Sequence, residues 1–287
     1  MDTKQKLARG SSKVGFTAAY VAIMTFLLFP IVWVLMMSFK GYDDGIAYPP
    51  KFVFEPTLAN YQSVLFGDTG SMSSGAGEFV GYLGNSLIVS LGAVALSLLV
   101  GVPAAYALVR NRIGKEDTIA FTFLSFRFAP ELMVIIPLYG IFQTMGLYDS
   151  YLGLILSHQL ITIPLIIWIV RTFLQDVPVE IEEAAQIDGC GPLKTLWRIV
   201  LPVIRPGVAS AAILAFIFSW NNLLMGLVLA GGRTQPVTVG ILQAIGFDQV
   251  RWGWMAAAAI VSALPGMLVA LYMQKHLVKG LTMGVGK

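Results

Sequence analysis

Charge is what this sequence has least of. Only 12% of its 287 residues are Asp, Glu, Lys or Arg, where a soluble domain carries about 25%. The deficit extends over nearly the whole length and excludes an ordinary water-soluble domain. Cysteine is almost absent as well: Cys190 stands alone, so no disulfide can form within the chain. With His158 and His276 as the only histidines, a structural zinc site of the usual Cys/His kind is excluded too. No HExxH, GxSxG or paired-cysteine pattern occurs, and "MGVGK" has Leu281 rather than glycine five residues before Gly286. A phosphate-cradling Walker A loop is therefore missing, and the chain is expected neither to hydrolyse ATP nor to bind a cofactor itself.

What is present is apolar length. Hydrophobic residues make up 56% of the chain, and about 20 consecutive ones suffice for a helix to cross a bilayer. The runs 15–39, 85–108, 151–170, 207–230 and 255–274 contain no charged residue. A sixth, 118–146, contains only Arg127 and Glu131. Backbone groups in lipid must be satisfied within the segment, so all six are read as helices. The chain is thus expected to be an all-α polytopic membrane protein: a tail at 1–14, then one transmembrane domain over 15–287. The basic start is read as leading into an uncleaved first span. Of the 19 Lys and Arg, Arg127 is intramembrane and only Lys40, Lys51, Arg233 and Arg251 fall outside if the N-terminus is inside. That bias places both termini in the cytoplasm. Segment 41–84, rich in Gly, Ser, Asp and Pro, is then an external cap without a transmembrane helix.

The loop 176–202 stands out among the cytoplasmic segments. "PVEIEEAAQID" reads as a helix, with Asp176 as a candidate cap and Glu180, Glu182 and Glu183 near its positive end. Gly189 is placed to end that helix in a left-handed cap. A second helix can start at Pro192, with Leu193, Leu196, Trp197 and Val200 on one apolar face. Ala184 and Ala185 leave a thin surface that another backbone can approach, and Glu183 offers a carboxylate beside it. The physics alone allows a docking knob or a helix pair lying on the membrane interface.

The spacing is more specific. Glu183-Ala184-Ala185, three residues, Gly189, nine residues, then Ile199 and Leu201-Pro202 resembles the EAA signature of bacterial binding-protein-dependent ABC importer permeases. "NSLIVSLGAVALSLLVGVPAAYALVR", "PLYGIFQTMGLYDSYLGLIL", "FIFSWNNLLMGLVL" and "LVKGLTMGVGK" resemble the carbohydrate-uptake branch, of maltose-permease type, over about 15–287. One departure is Asn222, where that branch often has an acidic residue. The resemblance implies a type I ABC importer permease fold in the bacterial inner membrane. It also implies that Glu183, Ala184, Ala185, Asp188, Gly189, Ile199, Leu201 and Pro202 couple the chain to a separate ATPase dimer, which holds ATP and Mg. A second homologous permease, an external solute-binding protein and a sugar substrate are the other implied partners; no nucleic acid is. An autonomous secondary transporter or channel is the alternative, and it has no use for this loop.

Two polar sets fall inside spans. At 1.5 Å per residue, Arg127 and Glu131 lie roughly 15–20 Å along a helix from Asp117, and Ser219-Trp220-Asn221-Asn222 about 20 Å from Gly207. Both are near mid-membrane, and Pro130 interrupts the helix between the first two. Intramembrane charges mark a pathway by default. They can equally form a self-neutralising pair at i, i+4 or lock the chain to its partner. Trp220, Asn221 and Asn222 suit a sugar, with amides for hydroxyls and a ring for its apolar face, or else serve as interhelical glue. His158, in the fourth span, is read as packing or as a further path residue.

Overall fold

The computed structural model describes residues 3–67, 78–111, 115–246 and 249–283, with the backbone alone at 3–15, 116 and 272–283. Residues 68–77, the loosest part of the expected external cap, lie outside the described residues. The described residues are helical, with one isolated bridge, Ile245 to Val250, and no sheet. The chain divides into two compact units, residues up to 77 with 243–261, and residues 78–242 with those from 262 on.

In the first unit, α1 (Thr3–Ser38) is followed by the short helices α2 (Tyr42–Ile46) and α3 (Ala59–Phe66). From Phe16 onward α1 is apolar all round, and its side chains are largely exposed. A helix of that composition needs lipid or another chain around it. Its last carbonyls have no intrahelical partners; Asn60 Nδ2 donates to Ser38 O at 3.0 Å and Lys40 O at 2.8 Å. Among the described residues between α1 and the next long helix, no helix is long and apolar enough to cross a membrane.

The second unit begins with α4 (Glu78–Arg110). It continues through α5 (Glu116–Ser125), α6 (Glu131–Met145), α7 (Tyr151–Gln175) and α8 (Val179–Ile187). A stepped segment follows: α9 (Pro192–Thr195), a π turn at Leu196–Val200 and α10 (Leu201–Val203). Next come α11 (Arg205–Trp220), α12 (Leu224–Leu229) and α13 (Val237–Ile241). The last helix, α14 (Trp252–Met283), starts in the first unit. Lipid is as apolar as leucine, so helices here associate by close packing and interhelical hydrogen bonds. The centre of the unit is α4, α7 and α11 packed on one another. Gly207 of α11 lies so close to the Phe173 ring of α7 that a Cβ there would sit 2.3 Å from it. Ser97 and Thr162 hydroxyls meet at 2.5 Å, and Gln159 Nε2 donates to Ala93 O at 3.2 Å.

Among the described residues, four helices are long and apolar enough to cross a membrane, or up to six spans if each of two bent pairs counts as one. The expected third span is such a pair: Asp117–Phe128 and Glu131–Met145 meet at 84°. The expected fifth span, 207–230, is interrupted as well. It ends as α11 at Trp220 and resumes as α12 at Leu224.

The two half-helices beyond these breaks, α6 and α12, are held at their far ends by one residue. Asp149 adopts a left-handed backbone, φ 50°, in the turn after α6, a conformation that aspartate tolerates. Its N–H donates to Leu229 O at 3.1 Å, the end of α12. Its carboxylate accepts from the N–H groups of Gly231, Arg233 and Thr234 and from Thr234 Oγ1. Burial pushes this carboxyl up, but those hydrogen bonds outweigh it and hold it below its ordinary 3.8. A folded pKa below the unfolded one makes the stabilisation complete above about pH 4 and lost as pH falls through the folded pKa. Asp149→Asn, which turns one acceptor into a donor facing an N–H, should cost about 1–3 kcal/mol at pH 7. Thermal unfolding in detergent should show a lowered midpoint whose difference from wild type shrinks below about pH 4. Equal midpoints at pH 7 would contradict this role.

Candidate functional site

The two breaks are made by different residues and meet at one place. In the first, α5 tightens into a 3₁₀ turn, Phe126–Phe128, and stops. Ala129 is extended, φ −61° and ψ 135°, as a residue before proline prefers. Pro130 has no N–H to continue the ladder, and Glu131 opens α6 with its carboxylate at the positive end of that helix. In the second, no proline is involved. Asn222 takes over the hydrogen bonds that the helix gives up. Its Oδ1 accepts from Met225 N at 2.9 Å in the first turn of α12, and its backbone O accepts from Thr238 Oγ1 at 2.9 Å. Its Nδ2 reaches across to Glu131 Oε1 at 2.5 Å. One amide thus ties the two breaks together.

Between them lies a cavity of about 450 Å³, lined by Arg127, Glu131, Phe218, Asn221, Asn222 and apolar neighbours. The Arg127 guanidinium lies over the Phe218 ring, its carbon 4.4 Å from the centroid. Arg127 and Glu131 do not pair: the ion pairs among the described residues are Lys51–Asp44, Arg110–Glu182 and Arg171–Asp117. Asn221 is exposed and gives one amide hydrogen back to Ile217 O. The structure therefore brings Arg127, Glu131, Asn221 and Asn222 together. Trp220 and His158 do not line the cavity. Trp220 is buried, stacks on Phe216 and donates from Nε1 to Ser262 O at 3.1 Å. His158 is buried with Nδ1 2.6 Å from Ser219 Oγ.

The loop 176–202 has its own geometry. α7 runs five residues beyond the apolar stretch that predicted it, to Gln175, and Asp176 sits at its C-terminal end. The sequence reading of Asp176 as the cap of the next helix is thereby corrected: Pro178 precedes α8, with no side-chain cap. Gly189 is left-handed, φ 79°, and Cys190 N donates to Ala185 O at 2.9 Å, the helix ending that glycine favours. On α8, Glu183, Ala184 and Asp188 are exposed while Ala185 is buried; Ile187 is 87% exposed. The expected stripe 193/196/197/200 is split by the π turn. Leu196 and Val200 are buried, and Leu193 and Trp197 are exposed. Ile199 and Leu201 are half-buried and Pro202 is exposed, just before an 85° bend into α11.

A buried cluster missed in the sequence holds α8 to the spans. Glu182 is 3% exposed. Its Oε1 accepts from Arg110 Nε at 2.6 Å and its Oε2 from Tyr106 OH at 2.7 Å. Arg110 Nη2 also donates to Leu174 O, in the last turn of α7, and to Val177 O just beyond it. Three elements, α4, α7 and α8, are joined at one guanidinium. Nothing in the sequence separates Glu182 from its neighbours Glu180 and Glu183. Only the phase of α8 against α4 does. Removing one partner of a buried pair leaves an uncompensated charge, at about 3–5 kcal/mol. Arg110→Leu should therefore destabilise strongly, and adding Glu182→Gln should restore much of the loss. Unfolding midpoints of the two single variants and the double variant check this; additive losses would show that the groups do not act together.

Comparison with known proteins gives a consistent picture. The family described as binding-protein-dependent transport system inner membrane component matches over residues 7–283. A probable ABC transporter permease of Sinorhizobium fredii is 33% identical over 99% of both chains. The trehalose transport system permease of Mycobacterium tuberculosis is 31% identical, over 92% of this chain and 94% of that one. Among solved structures, a chain of a bacterial ABC transporter that imports the acidic polysaccharide alginate superposes with a TM-score of 0.71. It covers 96% of this chain and 98% of that one at 20% identity, a likeness in fold.

Proposed function

The chain belongs to the binding-protein-dependent transport system inner membrane components, and from that premise we propose that it is the permease subunit of an ATP-driven importer for a sugar or sugar derivative. The type I ABC importer permease fold is the frame of this reading, and the chain is a multi-pass inner membrane protein. Relatives named for saccharide transport support the sugar class. The cavity at the two breaks is half of the translocation path. A second, homologous permease supplies the other half.

The observation that carries the coupling part is the contrast along α8. Its outer side exposes Glu183, Ala184 and Ile187, an apolar residue left in water at a cytoplasmic loop. Its inner side is fixed to α4 and α7 through Glu182 and Arg110. An apolar and acidic tip on a rigidly tied helix suits a cleft on a separate ATPase subunit. There ATP and Mg are bound, and hydrolysis is performed. With both termini cytoplasmic, the external solute-binding protein meets the opposite face. ATP draws two such helices together and opens the path outward; hydrolysis returns it.

The test is Gly189→Asp. At φ 79° a side chain adds some strain, which aspartate bears better than most residues, so the main change is the charge added beside the exposed tip. In the reconstituted complex, sugar uptake and binding-protein-stimulated ATPase activity should fall to background, with the permease still present in the membrane. Wild-type uptake at normal expression would sink the assignment of this loop to coupling.

A further inference from the structure

We propose that Arg127 binds an anionic group on the transported solute, so that the cargo is an acidic saccharide carrying a carboxylate, sulfonate or phosphate. The inference rests on the reading of the chain as a sugar permease and narrows its substrate class.

A guanidinium within a span is costly unless it is paired or faces a water-filled space. Arg127 has no ion-pair partner among the described residues, and none of them accepts a hydrogen bond from it. The nearest carboxylate in the sequence, Glu131, is engaged by Asn222 instead. The Arg127 guanidinium carbon lies over the Phe218 ring, 4.4 Å from the centroid. No described residue takes up any of its five N–H donors, and those donors match a planar or tetrahedral anion. The end of the 3₁₀ turn, where Arg127 sits, attracts a cation only weakly. That attraction takes up none of the in-plane donors.

The rest of the wall fits the remainder of such a ligand. Phe218 offers an apolar ring, and Asn221 and Glu131 offer groups for hydroxyls in the same cavity of about 450 Å³, enough for one or two sugar rings. A neutral sugar would meet the same hydroxyl partners but would displace water from Arg127 without replacing its charge compensation, the less favourable exchange. The named cargoes of similar proteins include the neutral trehalose and the acidic alginate, so similarity leaves the choice to the site.

The experiment uses the whole complex, with its second permease, ATPase and binding protein, in proteoliposomes. Uptake is measured for matched probes: neutral mono- and disaccharides and their uronate, sulfonate and phosphate counterparts. An acidic member should be imported in preference to its neutral counterpart. Arg127→Gln should lower its uptake about 10- to 100-fold, the loss of a charge-assisted hydrogen bond, and Arg127→Lys should retain part of it. Assembly and the affinity of the isolated binding protein should not change. Wild-type import of neutral sugars alone would overturn the inference and leave the permease assignment standing. Import of no sugar would sink both. If Arg127→Gln instead prevents assembly with the second permease, Arg127 pairs with that subunit and the anion site does not exist.

Discussion

The breaks in the spans are governed by the absence of water in the hydrocarbon core. A backbone N–H or C=O freed there costs several kcal/mol unless protein or trapped water takes it up. A helix can therefore break in mid-membrane only where partners are waiting. The chain breaks two spans, after Phe128 and after Trp220, and solves both at one point. Pro130 removes a donor from the first break, and the side chain and carbonyl of Asn222 replace the lost bonds of the second. The Asn222–Glu131 bond then joins them. The cavity is what this arrangement leaves open.

The same geometry links the cavity to the cytoplasmic loop. α11 begins at the bend behind Leu201-Pro202 and ends at the break beside Asn221. Its 16 residues make a rod about 24 Å long at 1.5 Å per residue. α7 packs along it and carries the far end of the loop. Arg110 closes the frame by fastening α8 to α4 and α7. With Gly207 against Phe173 and hydroxyl contacts between α4 and α7, the centre of the unit has little room to deform. In the proposed reading, a push on α8 is delivered to the breaks by rigid helices and not absorbed between them.

Much of this was legible in the sequence because membrane helices obey one strong rule. Uninterrupted apolar length marked the spans, Pro130 marked the first break, and Gly189 marked the left-handed end of α8. The second break was not legible. Its signal is a pair of asparagines, and whether an amide replaces the ladder or merely decorates it depends on a neighbour 91 residues away in sequence. Glu182 was hidden for a similar reason, since three glutamates in one short helix differ only in which one faces Arg110. Asp176 was assigned to the wrong helix because α7 outruns its apolar stretch. The stripe that starts on α9 is divided: Leu196 and Val200 turn inward while Leu193 and Trp197 stay exposed, and from Leu196 the chain turns with π periodicity. Trp220 and His158 share the composition of a sugar site, but each turns to a partner on another helix.

The central claim is that the two breaks border a watery path and do not merely pack against lipid or protein. Asn221, exposed at the second break, reports on it directly. With Cys190 replaced by serine and Asn221 by cysteine, the reconstituted complex is exposed to a charged, lipid-insoluble thiol reagent. Rapid labelling is expected, slowing when the sugar-loaded binding protein and ATP drive the complex through its cycle. Labelling by a lipid-soluble reagent alone, indifferent to sugar and nucleotide, would contradict the claim.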